Sequence, residues 1–94
     1  MVISPENKTA FITCVEIAVM KENKDNYELV NSKLDSFCKC SLQDCYDEPE
    51  CVKTILKEVY KEKYELVLRR IDSELDKLND VESEKSEFLT FMRK

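Results

Sequence analysis

Four of the five cysteines in this chain, Cys38, Cys40, Cys45 and Cys51, fall within fourteen consecutive residues, with Cys14 apart from them. Four thiolates are the ligand set of a tetrahedral structural zinc site. Such a site would tie the end of one helix to the start of the next, a useful staple in a chain too short for a deep core. The spacing is C-x-C-x4-C-x5-C, without the paired C-x2-C arms of such sites, and the chain has no glycine to let backbone wrap a metal. Zinc is the one cofactor these residues admit, as a second reading. Disulfides joining Cys38 or Cys40 to Cys45 or Cys51 would staple the same helices, but the cysteine count is odd and no secretory leader is recognisable. The leading reading is free thiols, with Cys14 and Cys38 acting as small hydrophobes on apolar helix faces.

A catalytic thiol is disfavoured. The chain has no histidine to serve as its base, and Asp44, Asp47 and Glu48 lie nearby in sequence, where they oppose thiolate formation. The lack of histidine also removes Ser-His-Asp and Cys-His pairs. The lack of glycine removes phosphate-cradling loops and dinucleotide fingerprints. Asp and Glu number 20, so a paired-carboxylate mechanism survives on paper. Such a pair needs a concave, desolvated pocket, for which a thin helical domain offers little room. The acids read as solvated helix faces, and the chain reads as no enzyme.

Contact residues are the remaining class. Tyr60 and Tyr64 stand one helical turn apart and form a candidate interface anchor, although the favoured reading of the pair is core-edge residues with wet hydroxyls. Phe88, Leu89, Phe91 and Met92 crowd four large apolar side chains into five positions, more than one helix face can hold, which points to a partner. Lys53, Lys57 and Lys61 make a positive ribbon, but Glu58, Glu62 and Glu65 interrupt it. With a net charge of −5, the chain is expected to bind neither nucleic acid nor an anionic membrane surface.

The elements that must position these residues are helices. Tight hairpin turns need residues at positive φ, normally glycine, and there are none here. A hydrophobic fraction of 43% is enough for a globular core, and the 37% of charged residues suits long wet faces. Ser4 and Pro5 mark a helix start after a short lead-in, Met1 to Ile3. Phe11, Cys14, Val15 and Ala18, flanked by Ile12, Ile17 and Val19, give that helix a stripe wide enough for burial on more than one side. Asn23, Asp25 and Asn26 form a turn. Tyr27, Val30, Leu34, Phe37 and Cys38 then define one face of a second helix. Residues 39–48 read as a loop, and Pro49 opens a third helix.

Val52, Leu56, Val59 or Tyr60, Tyr64, Val67, Ile71, Leu75 and Leu78 keep one helical phase, which predicts a single rod over about residues 48–78. Such a rod overhangs two short neighbours. The tail either breaks near Asn79-Asp80 to form a fourth helix, the favoured reading, or continues the third, since Leu78, Glu82, Lys85, Leu89 and Met92 stay in phase. The fold class expected is all-α: an antiparallel three- or four-helix bundle with one long helix, in a single helical domain over residues 1–94. The expected function is a cytoplasmic, non-enzymatic protein–protein interaction module, self-associating or part of a larger assembly. A small zinc-binding module is the alternative.

Overall fold

The first helix begins where local chemistry dictates. Ser4 Oγ accepts the Asn7 N–H at 3.2 Å and Pro5 fills the first helical position, so α1 runs Pro5–Glu22. Asn23 is at once the last cap of α1 and the first of the next helix, its Oδ1 accepting the Asn26 N–H at 3.0 Å. Helix α2 spans Lys24–Cys38 and ends on Lys39 in the left-handed conformation, with the Cys40 N–H returning to the Leu34 carbonyl at 3.3 Å. A short 3-10 turn over Leu42–Asp44 follows, then α3 at Pro49–Tyr60, α4 at Tyr64–Leu75 and α5 at Glu82–Met92. The computed structural model describes residues 4–94, and the lead-in Met1–Ile3 lies outside the described residues. Every regular element among the described residues is helical, and together they form an all-α helical bundle.

The rod expected over residues 48–78 is bent in the middle. Lys61 takes φ 50° and ψ −117°, and a 3-10 turn over Lys61–Lys63 separates α3 from α4. An unbroken helix of that span would measure about 46 Å. The molecule's longest extent is 31 Å. Bending the strip lets α3 pack on α2 while α4 packs on α1. No overhang is left: Val52, Ile55, Leu56, Tyr60, Val67, Leu68, Ile71 and Leu75 are all buried in one core. The tail breaks as expected, and α5 folds back over α3 and α4.

Helix α1 meets α2, α4 and the 42–44 turn, which accounts for its wide apolar stripe. Phe11, fully buried, sits edge-on to Tyr46 from the loop, at 5.5 Å between ring centres, and to Phe88 from α5, at 5.4 Å. A polar clamp closes the α1–α4 seam. Glu74 Oε1 accepts from Lys21 at 2.9 Å, Glu74 Oε2 accepts from Lys77 at 3.0 Å, and Arg70 pairs with Glu22.

Lys61 occupies a conformation that a side chain resists and glycine does not. Lys61→Gly is therefore expected to stabilise the fold by about 1 kcal/mol in urea denaturation, while Glu28→Gly, inside an exposed stretch of α2, should cost about 1 kcal/mol. A destabilised Lys61→Gly variant would contradict the bend. The clamp makes a second prediction. Hydrogen bonds from Lys21 and then Lys77 hold the Glu74 carboxyl below its ordinary value of 4.5. A carboxyl with a lowered folded pKa contributes stability that is complete above the unfolded value and is lost as pH falls through the folded one. The Tm gap between wild type and Glu74→Gln should thus shrink as pH drops below 4.5. A gap that stays constant from neutral to about pH 3 would remove the linkage.

Candidate functional site

Of the residues singled out for contacts, most are used inside the chain. Tyr60, Phe88, Leu89 and Met92 lie in the core, and Tyr64 and Phe91 pack against its edge. The four crowded apolar side chains of α5 are accommodated because α5 is covered from two directions, by α3 and by α4. Tyr64 donates its hydroxyl to the Met92 carbonyl at 2.7 Å, and Lys53 lies 4.9 Å from the centre of the Phe91 ring. The surface expected to meet a partner is internal packing.

The cysteines divide. Cys38 ends α2, Cys51 stands in the first turn of α3, and Cys40 follows the left-handed Lys39. Cys38 and Cys51 thus flank the strap, one at the end of α2 and one at the start of α3. Cys45 turns the other way, into the core beneath the 42–44 turn, where its nearest charges are Glu16, Asp44 and Asp47. Burial pushes its thiol up to about 12. The Cys51 thiol is pushed up to about 11, first by its hydrogen bond with Cys38 and then by burial. Burial raises Cys40 and Cys14 as well. Thiols so held are protonated at neutral pH and make poor nucleophiles. No group of three or more His, Cys, Asp or Glu among the described residues is placed to hold a metal ion.

The 39–48 segment is an internal strap. The Leu42 N–H donates to Asn31 Oδ1 at 2.9 Å, and the Ser41 N–H donates to Asp44 Oδ2 at 2.9 Å. These bonds satisfy backbone that sinks with Leu42 and Cys45 into the core. Between the strap and α1 lies an open groove of about 420 Å³. Its acidic side chains already have partners: Asp47 pairs with Lys8 at 2.7 Å, and Glu16 accepts the Tyr27 hydroxyl at 2.9 Å.

The outward-facing feature that sequence reasoning missed is Phe37. Its spacing with Val30 and Leu34 places it on the core face of α2, yet it is 70% exposed. The reason is its position in the last turn, one residue before α2 ends, where the chain turns away at Lys39. Leu29, 44% exposed, shares a row with it at i and i+8. Lys33 lies between them, its ammonium 5.7 Å from the Phe37 ring centre and 3.0 Å from Glu58. Leu29, the Lys33 stem and Phe37 thus form one continuous strip on the surface. The only signal in the sequence was the nearness of Phe37 to a helix end. No helix among the described residues is long and apolar enough to cross a membrane.

Comparison with known proteins finds no matching family model, no matching curated protein and no matching solved structure.

The two tyrosines once paired as an anchor now separate by chemistry. The Tyr60 hydroxyl is buried without a hydrogen-bond partner among the described residues, and burial pushes its phenol up to about 12. Tyr60→Phe removes an unsatisfied group and is expected to be neutral or stabilising by about 1 kcal/mol. Tyr64→Phe loses the bond to the α5 carbonyl and should cost about 1 kcal/mol. Chemical denaturation of both variants checks the contrast, and equal losses would refute it.

Proposed function

We propose that this chain is a non-enzymatic protein–protein interaction module, a small adaptor, inhibitor or structural subunit acting in the cytoplasm. Its contact surface is the strip Leu29, Lys33 and Phe37 on α2, and the partner that demands least is a second copy of the same chain. The observation that carries this reading is Phe37: a large aromatic, 70% exposed, in line with another exposed apolar residue on the same helix row. Aromatic side chains of this kind anchor interfaces because they bring much apolar area at low conformational cost.

A second copy fits the strip by symmetry. When two α2 helices cross antiparallel about a two-fold axis, Leu29 of each meets Phe37 of the other, so one surface serves both subunits. Lys33 then falls near the axis, and its ion pair with Glu58 offsets the repulsion of two like charges. The net charge of −5 supports a protein partner over nucleic acid or an anionic membrane.

A strip of three residues covers far less than the roughly 800 Å² per partner of a stable complex. Self-association is therefore expected to be reversible and in the micromolar range. Sedimentation velocity over a concentration series checks this. The expected result is a monomer–dimer equilibrium that Phe37→Ser weakens by about tenfold or more, an effect the size of one anchor residue. A monomer at every concentration, or a dimer indifferent to both Phe37→Ser and Leu29→Ser, overturns the proposal.

A further inference from the structure

We propose that this chain exchanges α4 and α5 with a second copy of itself, the bend at Lys61–Lys63 opening so that two chains form a domain-swapped dimer. The bend is strained. Lys61 holds φ 50° and ψ −117°, the mirror image of the β region, which glycine enters freely and a residue with a Cβ does not. Lys39 also has a positive φ, but at φ 55° and ψ 38° it sits in the ordinary left-handed well where helices end. A short hinge under strain is the feature that invites exchange between copies.

The residues on both sides of the hinge suit a straight helix. Val52, Leu56, Tyr60, Tyr64, Val67, Ile71 and Leu75 keep one apolar phase through it, and no proline or glycine lies between Tyr60 and Tyr64. Lys61, Glu62 and Lys63 are all exposed, so straightening breaks no core contact of their own. The hinge backbone would trade its 3-10 turn for α-helical bonds. Within one chain the straight form is ruled out, because it lifts α4 off α1 and leaves both apolar faces in water.

A second copy removes that obstacle. Helices α4 and α5 travel as one body, held together by the Tyr64 hydroxyl on the Met92 carbonyl at 2.7 Å, Arg93 on Glu65 at 3.1 Å and Lys85 on Asp72 at 3.1 Å. The seat they leave on α1 and α3 is filled by the identical pair from the other chain. Lys21 with Glu74, Arg70 with Glu22 and the ring contact of Phe11 with Phe88 then reform between chains. Only the hinge changes, and its strain is relieved in both chains at once. A chain's own α4 is always at hand, so the dilute protein is the bent monomer, and rising concentration favours the exchange. Exchange requires α4 to leave α1, which makes it slow and the dimer persistent. The strip on α2 is no part of the exchanged unit, and this inference does not rest on it.

The test holds the full chain at about millimolar concentration near its Tm, cools it, and resolves the product by size exclusion with light scattering. The expected product is a dimer that persists for hours on dilution, whereas contact through the strip re-equilibrates within the run. In a dimer of isotope-labelled and unlabelled chains, nuclear Overhauser contacts between α1 and α4 methyl groups should run between chains. Lys61→Gly relaxes the bend and weakens the rod, and should lower the dimerisation constant by about a hundredfold or more. Lys61→Val, a side chain that resists positive φ more strongly, should raise it about tenfold. Should Lys61→Val fail to fold, the comparison of wild type with Lys61→Gly decides alone. Phe37→Ser, which tests the strip, should leave the persistent dimer unchanged, so the two modes of association are read separately. A wild-type chain that stays monomeric after this treatment, a persistent dimer that Lys61→Gly leaves unchanged, or one whose α1–α4 contacts all lie within a chain overturns the proposal.

Discussion

A strip of apolar side chains running from Val52 to Leu75 has to be shielded by helices no longer than 18 residues, and that constraint shapes the molecule. Within one chain a straight rod would leave part of the strip in water. The bend at Lys61 solves this by giving each half its own companion, α2 for the first and α1 for the second. A non-glycine residue in that conformation costs on the order of 1–3 kcal/mol. Each large aliphatic side chain taken fully out of water returns about 1.5–3 kcal/mol, and the strip holds eight buried residues. Burial wins easily, so a lysine at a position suited to glycine is tolerated in a chain that has no glycine.

The bend also decides what the other parts do. With α4 brought alongside α1, the first helix is enclosed by α2, α4 and the strap, which is why its apolar residues extend round so much of its surface. The strap then completes the core and does not simply connect two helices: Leu42 and Cys45 descend into it while Asn31 and Asp44 take the backbone N–H groups that descend with them. Tyr46, Phe11 and Phe88 carry the contact from the strap through α1 to α5. A domain of this size has few buried side chains to spare, and drawing loop residues inward enlarges the core without lengthening the chain.

What could be read from residues alone follows the range of the interactions concerned. Ser4, Pro5, Asn23 and Pro49 act on backbone within a turn, so the helix starts were legible. The break before α5 was only half legible: Asn79 and Asp80 favour a stop, but Leu78, Leu89 and Met92 stay in helical phase across it. The bend was not. Tyr60-Lys61-Glu62-Lys63-Tyr64 is composed of residues that tolerate a helix, and the apolar phase resumes on its far side, so only tertiary packing marks the site. The burial of the candidate contact residues was hidden on similar grounds. Crowding at Phe88, Leu89, Phe91 and Met92 signals a second surface, and local sequence does not reveal whether that surface belongs to the same chain. The cysteines were half legible: Cys38 and Cys51 fall at helix ends as their positions suggest, but the 3-10 turn at Leu42–Asp44 carries Cys45 into the core.

The end of α2 is where both departures meet. Lys39 turns the chain sharply, and the residues just before it lose the cover that the rest of their helix face receives. Phe37 is thereby left outside. With the rod bent, its apolar strip lies in the core and offers a partner no uncovered face. The proposed role rests instead on a smaller strip at a helix end, and a smaller strip implies weaker and more readily reversed contacts than a rod of seven turns would make.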